Sequence, residues 1–324
     1  MIETEIGRAA QTVSDLGEFG LITRIGAGLG GAAESAATLL GSGDDAAVVA
    51  TPDGRVVAGT DLLVEGTHFR RDWSSAEDVG HKAAAKNFAD IAAMGAVPTA
   101  LLVGFGTPGD LPLSWVDGLV AGLREEVGGV GAAVVGGDVV RSENIVIAAT
   151  ALGDLQGRAP VTLRGARVGD IVAVSGRLGW AAAGFVVLGR GFRSPVQVVA
   201  AQRRPDVPYA AGPQAAELGA TAMTDVSDGL VNDLGTIAKA SGVRIDLRSR
   251  SIAVPAKLAE VGAALNIDPM TWMLTGGDDY ALVATFPREV SLPEGWRDIG
   301  VVYEGEGVRV DGRRWQHGGH EHFR

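Results

Sequence analysis

The stretch Met223–Gly235, MTDVSDGLVNDLG, sets three carboxylates, Asp225, Asp228 and Asp233, where an apolar strand pattern gives way to a helical one. Like charges repel, so their gathering at one turn needs a reason. Ser227 or Asp228 can cap the helix that follows, because a short polar side chain satisfies the orphan amides of a first turn. Capping explains one such residue. It does not explain why the arrangement recurs in GSGDDAAVV (Gly41–Val49) and TGGDDYALV (Thr275–Val283). In each, an apolar strand adjoins a Gly-Asp or Asp-x-x-Asp turn.

Working outward from that stretch, strands alternate with helices. ATAMTDVS reads as a strand and DGLVNDLGTIAKASG as a helix, followed by the strand RIDLRS, the helix PAKLAEVGAALN and the strand DYALVATFP. Ahead of them lie the strand DIVAVSG and the helix LGWAAAGFVVLG. The N-terminal half repeats the style. EFGLITRI reads as a short helix leading into a loop, GAGLGGAAES, which lacks the Gly-Lys-Ser/Thr ending of a P-loop. DAAVVATPDGRVVAGTDLLVEGTHF reads as two strands joined at Pro52–Gly54. SAEDVGHKAAAKNFADIAAMGA is a helix with Ser75 at its N-cap, Asp78 three residues on, and Gly95 at its end. TALLVGFG is a strand, LSWVDGLVAGLREEVGGVGA a helix, and AVVGGDVVRSENIVIAATALGDL two strands. The polar segment Gly153–Asp170 marks a boundary. The expected architecture is two α/β (α+β) domains, 1–153 and 154–324.

Composition narrows the chemistry. Of 324 residues, 46% are hydrophobic and 21% charged, which suits a packed globular protein. The formal charge is −11, which gives no general attraction to nucleic acid or an anionic membrane. No apolar run is long enough for a membrane span, and no signal peptide is recognisable, so the cytoplasm is expected. With no cysteine, disulfides, thiolate metal sites and a cysteine nucleophile are excluded. Five histidines and no cysteine make zinc unlooked-for. Aspartates at strand ends beside glycines suit hard divalent cations that also hold phosphate oxygens. Thr60 and Asp61 in VVAGTDLLV, Asp138 after AAVVGG, and Asp90 on a helix face shared with Asn87 and Met94 extend the set. Each alone reads as a cap or a helix ion pair; together they read as a nucleotide site with several Mg²⁺ ions.

Seven blocks, GEFGLI, GSGDDAAVV, TDLLVEGTHF, KNFADIAAMGAVP, GGDVVR, TDVSDGLVNDL and GGDDYAL, resemble the thiamine-monophosphate kinase family in order and spacing. That family belongs to the aminoimidazole ribonucleotide synthetase superfamily. The blocks run from Gly17 to Leu282, and a terminal HEHF resembles the family's ending. The resemblance implies ATP-dependent phosphorylation of thiamine monophosphate to thiamine diphosphate by a homodimer joined through its N-terminal sheets. It implies that Asp45, Thr60, Asp61, Asp90, Asp138, Asp225 and Asp228 hold Mg²⁺. Gly137, Asp138, Arg164 and Ser227 would contact ATP, and His68, Asp278 and Trp315 thiamine monophosphate. The family carries Glu where this chain has Asp278, and often Ser where it has Gly59.

The mechanism expected from these chemistries is positioning and charge neutralisation. The acceptor is already a phosphate, so no general base is required. The alternatives are a sister ATP-dependent enzyme of the superfamily and a catalytically idle nucleotide-binding scaffold. Selenophosphate synthetase and the hydrogenase-maturation relative normally need a cysteine or selenocysteine that this chain lacks. His81 reads as a solvated helix residue, Trp272 and Trp296 as packing, and His317, His320 and His322 as a tail. The basic run Arg190–Tyr209 reads as a solvated face.

Overall fold

The computed structural model describes residues 11–42 and 46–315. The chain divides into two compact units. One runs to Ala50 and includes Thr60–Ala84 and Ala100–Thr150; the other comprises Thr51–Gly59, Ala85–Thr99 and the residues from Ala151 on.

The first unit opens with α1 (Val13–Leu29), where the Thr12 amide donates to the Asp15 carboxylate at 2.8 Å. The expected loop GAGLGGAAES is largely absent: the helix continues to Leu29 and a 3-10 turn follows over Gly30–Ala33. Burial of Leu21 and Leu29 outweighs the weak helix propensity of the glycines between them. β1 (Thr38–Leu40) pairs antiparallel with β2 (Val48–Val49). Then come β3 (Val57–Val64), α2 (Ala76–Ala93), β4 (Val97–Thr107), α3 (Leu113–Gly129), β5 (Ala133–Arg141) and β6 (Val146–Asp154). The four-stranded sheet has the order β3-β6-β4-β5. The two strands expected around Pro52–Gly54 are therefore β2 and β3, but they belong to different sheets.

β4 and β5 run parallel, linked by α3 as the crossover that parallel strands require. α3 buries Val116, Leu119, Val120, Leu123 and Val127, a 3.6-period stripe. Trp115, on the same helix, stacks with Phe69 at 6.5 Å and with Phe105 at 6.4 Å. α2 and α3 touch backbone to backbone. A Cβ at Gly80 would fall 2.1 Å from the Leu119 carbonyl oxygen, and one at Gly122 would fall 2.0 Å from that of Glu77. The capping box of α2 is present as expected: Ser75 N donates to Asp78 at 3.0 Å, and Asp78 N to Ser75 Oγ at 3.2 Å.

The second unit holds β7 (Ile171–Ser175), α4 (Trp180–Gly189), α5 (Val196–Arg203), α6 (Ala211–Glu217), β8 (Ala222–Val226) and α7 (Leu230–Ser241). β9 (Arg244–Leu247), α8 (Ala256–Leu265), α9 (Pro269–Thr275), β10 (Ala281–Phe286), β11 (Trp296–Tyr303), β12 (Gly307–Val310) and β13 (Arg313–Arg314) complete it. The seven-stranded order is β13-β12-β9-β11-β7-β10-β8. Only β12 and β9 pair in parallel; the other neighbours are antiparallel. β10 is buried along its whole length, so both faces of the sheet are covered there. Ala173, Met223, Leu282, Ala284, Phe286 and Trp296 share one core with Ala92, Val161 and Ala215. Trp296 meets Phe286 edge-on at 5.2 Å, and Trp272 is buried, so both tryptophans pack as expected. Among the described residues no helix is long and apolar enough to cross a membrane.

Candidate active site

In the second unit, β8 lies antiparallel to β10 with Asp225 opposite Leu282. The turn leaving β8 (Asp225–Gly229) therefore lies beside the turn entering β10 (residues 275–280). Asp225 is 7% exposed at the strand end. The cap of α7 differs from expectation. Its N-cap is Gly229, with φ 112°, and neither Ser227 nor Asp228 caps it. Asp233, one turn inside the helix, reaches back instead. Its Oδ2 accepts from the Asp228 amide at 3.1 Å, and the amides of Ser227 and Gly229 also point at this carboxyl. Burial, then the neighbouring Asp228 charge, pushes Asp233 up to about 7. Of the three aspartates in the opening stretch, Asp233 holds the turn, and Asp225 and Asp228 flank it.

The pair in TGGDDY divides in the same way. Asp279 is buried, and its carboxyl accepts from the amide of Gly179 and, at 2.9 Å, from that of Ala181, so it caps α4. Burial pushes it up to about 7 against the pull of those amides. Asp278 takes φ 64° and donates its amide to the Ser227 carbonyl at 2.9 Å. The Tyr280 hydroxyl donates to Asp278 Oδ1 at 2.9 Å.

Asp90 on α2 lies beside β3: a Cβ at Gly59 would stand 3.7 Å from Asp90 Oδ2. Gly59 directly precedes Thr60 and Asp61. The Thr60 hydroxyl donates to the Ala149 carbonyl at 2.9 Å and accepts from Thr150 at 3.0 Å. Strand alternation puts Thr60 with exposed Leu62 on one face of β3 and Asp61 on the other. On β5, Asp138 sits opposite Gly104 and its Oδ1 accepts from the Val139 amide at 2.9 Å. A Cβ at the preceding Gly137 would fall 2.0 Å from the Val103 carbonyl oxygen, so only glycine lets β5 approach β4 here. The strand order places Asp61 and Asp138 on opposite edge strands, three strand steps or ~14 Å apart. One sheet does not bring them together. His68 Nδ1 accepts from the Val64 amide at 3.0 Å, which leaves the ring proton on Nε2.

Two expected contacts are placed away from their partners. The main chain at Arg164 is tied to the start of β8 and the end of α7: Met223 N donates to the Thr162 carbonyl at 3.2 Å, and the Ser241 hydroxyl binds the Gly165 and Ala166 amides. Ser227 lies at the other end of both elements, and α7 alone is ~18 Å long. Trp315 follows β13, at the sheet edge five strand steps or ~24 Å from β10 and Asp278. Asp45, the HEHF ending and the three tail histidines lie outside the described residues. His81 is not a free solvated side chain: its Nε2 pairs with Glu126 at 2.7 Å. Among the described residues no group of three or more His, Asp or Glu forms a metal cage by itself.

The comparisons with known proteins bear on these two carboxylate regions. Residues 43–155 match the family model "AIR synthase related protein, N-terminal domain", and residues 167–312 its C-terminal counterpart. The chain is 48% identical over 306 residues to a thiamine-monophosphate kinase of Mycobacterium tuberculosis, covering 94% of this chain and 90% of that one. A solved structure of thiamine monophosphate kinase from Aquifex aeolicus superposes with a TM-score of 0.77 at 33% identity, covering 94% of this chain and all of that one. A further structure, AaThiL complexed with AMPPCP and TMP, gives 0.79 at 34% identity over 99% of this chain and 100% of that one.

Proposed function

The chain belongs to the thiamine-monophosphate kinase family, and from that premise we propose that it transfers the γ-phosphoryl group of ATP directly to thiamine monophosphate, giving thiamine diphosphate. The observation that carries this reading is the 2.9 Å bond from the Asp278 amide to the Ser227 carbonyl. It joins the residue expected at the nucleotide to the residue expected at the acceptor. The relative solved with AMPPCP and TMP, an ATP analogue beside the acceptor's own abbreviation, supports the same pairing.

The donor set fits magnesium. The candidate ligands are hard carboxylates, and among the described residues no three of them form a cage, which suits an ion that keeps waters and takes phosphate oxygens from its substrates. Asp45, Asp61, Asp90, Asp138, Asp225 and Asp228 would hold it, and Thr60, whose hydroxyl is engaged by β6, would serve through its carbonyl. When bound, Mg²⁺ neutralises charge between donor and acceptor phosphates. The chain's own residues then bind and orient. Ser227 and the Gly137–Asp138 backbone meet the triphosphate, and Asp278 and His68 fix the acceptor, His68 as an Nε2–H donor. Arg164, at the far end of β8 and α7, would meet the end of ATP remote from the phosphates. No side chain removes a proton, because the attacking phosphate is already ionised.

Residues 1–153 would form the domain that pairs in a homodimer, and residues 154–324 the second domain, in the cytoplasm. The outward side chains of the N-terminal sheet favour pairing: Leu62 on β3 is 50% exposed and Val140 on β5 is 53% exposed. A second copy would also supply an Asp138 to an Asp61 that its own sheet holds ~14 Å away. The test is incubation with ATP, Mg²⁺ and thiamine monophosphate, with products identified by mass. Thiamine diphosphate and ADP in equal amounts are expected. ADP and inorganic phosphate alone would overturn the reading.

A further inference from the structure

We propose that Tyr280 is a positioning residue for the acceptor: its hydroxyl fixes the carboxylate of Asp278, in a turn that the protein holds under strain. The proposal rests on the reading of Asp278 as an acceptor contact. Asp278 and Tyr280 both take positive φ, 64° and 50°, in a stretch where a non-glycine residue pays for that conformation. Such strain persists only where the surroundings over-determine it, and here they do. The Asp278 amide donates to the Ser227 carbonyl at 2.9 Å and the Tyr280 amide to the Val226 carbonyl at 3.0 Å. A Cβ at Gly277 would fall 2.2 Å from the Ser227 carbonyl oxygen, so the two turns touch along their backbones. Asp279, between the two strained residues, is anchored in the N-terminus of α4.

Tyr280 itself is 1% exposed, with its ring among Ala85, Ala89 and Val207. A ring so enclosed fixes where its hydroxyl lies, and that hydroxyl donates to Asp278 Oδ1 at 2.9 Å. An aspartate has a shorter arm than the glutamate expected at this position, so its carboxylate depends more on where the turn and the tyrosine hold it.

The test is steady-state kinetics of Tyr280→Phe, Asp278→Ala and the double variant in the full-length protein with ATP, Mg²⁺ and thiamine monophosphate. Phenylalanine keeps the buried ring, so the fold is retained, and circular dichroism with a melting curve checks this. Tyr280→Phe should raise KM for thiamine monophosphate about 3- to 10-fold, the loss of one hydrogen bond to a charged group acting indirectly. It should leave kcat and KM for ATP within about twofold, and have no further effect in the Asp278→Ala background. If Asp278→Ala raises KM and Tyr280→Phe does not, positioning by the tyrosine is overturned while the reading of Asp278 stands. If Asp278→Ala leaves KM unchanged, both fall. If Tyr280→Phe depresses kcat and weakens ATP and acceptor alike, or adds fully to Asp278→Ala, the tyrosine merely supports the turn and the proposal is overturned.

Discussion

At the scale of single residues, the aspartates sort by what their carboxyls are already doing. Asp233 and Asp279 are spent on backbone amides, and Asp225, Asp228 and Asp278 stand on the turns those amides build. Asp225→Asn keeps shape and removes charge, so kcat should fall by at least about 100-fold, since one lost ligand costs several kcal/mol of charge stabilisation. The melting temperature should move little, because Asp225 is not the cap of α7. A folded variant with full activity would return Asp225 to a structural role. His68 gives the complementary case. Its Nδ1 is taken by the Val64 amide, so Nε2–H is a donor and the imidazole is no base. His68→Ala should raise KM for thiamine monophosphate roughly 10-fold or more, the value of a hydrogen bond to a charged partner. Collapse of kcat with loss of the acidic limb of the pH–rate profile would instead put proton chemistry on this histidine.

At the scale of elements, Asp279 is a cap on α4 that works in a buried site, and this has a signature in pH. Its folded value is pushed up to about 7, against about 3.9 for an unfolded aspartate. Between those values the folded state keeps a proton that the unfolded chain has lost. Its stabilising contribution is therefore full below about pH 4 and is lost as pH rises through 7. Chemical denaturation of the wild type and Asp279→Asn from pH 4 to 8 should show the wild type losing stability relative to the variant across that span. A flat difference would contradict the assigned burial. How far the elements were legible follows the same physics. MTDVSDGLVNDLG announced its strand, turn and helix, because period-two and period-3.6 patterns meet at Asp228–Gly229. The division of labour among its aspartates was not legible. Whether an aspartate caps or binds is decided by which amide lies within 3 Å, and Gly179 is a hundred positions from Asp279 in sequence. The Asp in DGLVND three residues after Leu230 was the available signal for a reach-back cap, and the Tyr two residues after Asp278 for a buried hydroxyl donor. α5, α6, α9 and β11–β13 also escaped, being short or carried by Pro- and charge-rich stretches whose burial is tertiary. The loop expected at GAGLGGAAES became helix because Leu21 and Leu29 found a core.

At the scale of the whole molecule, the strand order makes a demand that no single residue reveals. Asp61 and Asp138 occupy opposite edges of one four-stranded sheet, and in the homodimer proposed above a site needing both would take them from two copies. Asp61→Asn and Asp138→Asn should each be inactive as pure proteins. Unfolded together and refolded as a mixture, they should regain up to about a quarter of wild-type activity, since half of the dimers would be mixed and each would hold one intact site. No recovery on mixing, with mixed dimers present, would place both residues in one chain's site. The central claim is that carboxylates and their cations are arranged for an acceptor that is itself a phosphate. The most direct measurement offers thiamine monophosphate and free thiamine in equal amounts with ATP and Mg²⁺, and follows both products by mass. Thiamine diphosphate should accumulate while free thiamine stays unphosphorylated; conversion of thiamine to thiamine monophosphate at a comparable rate would contradict the account.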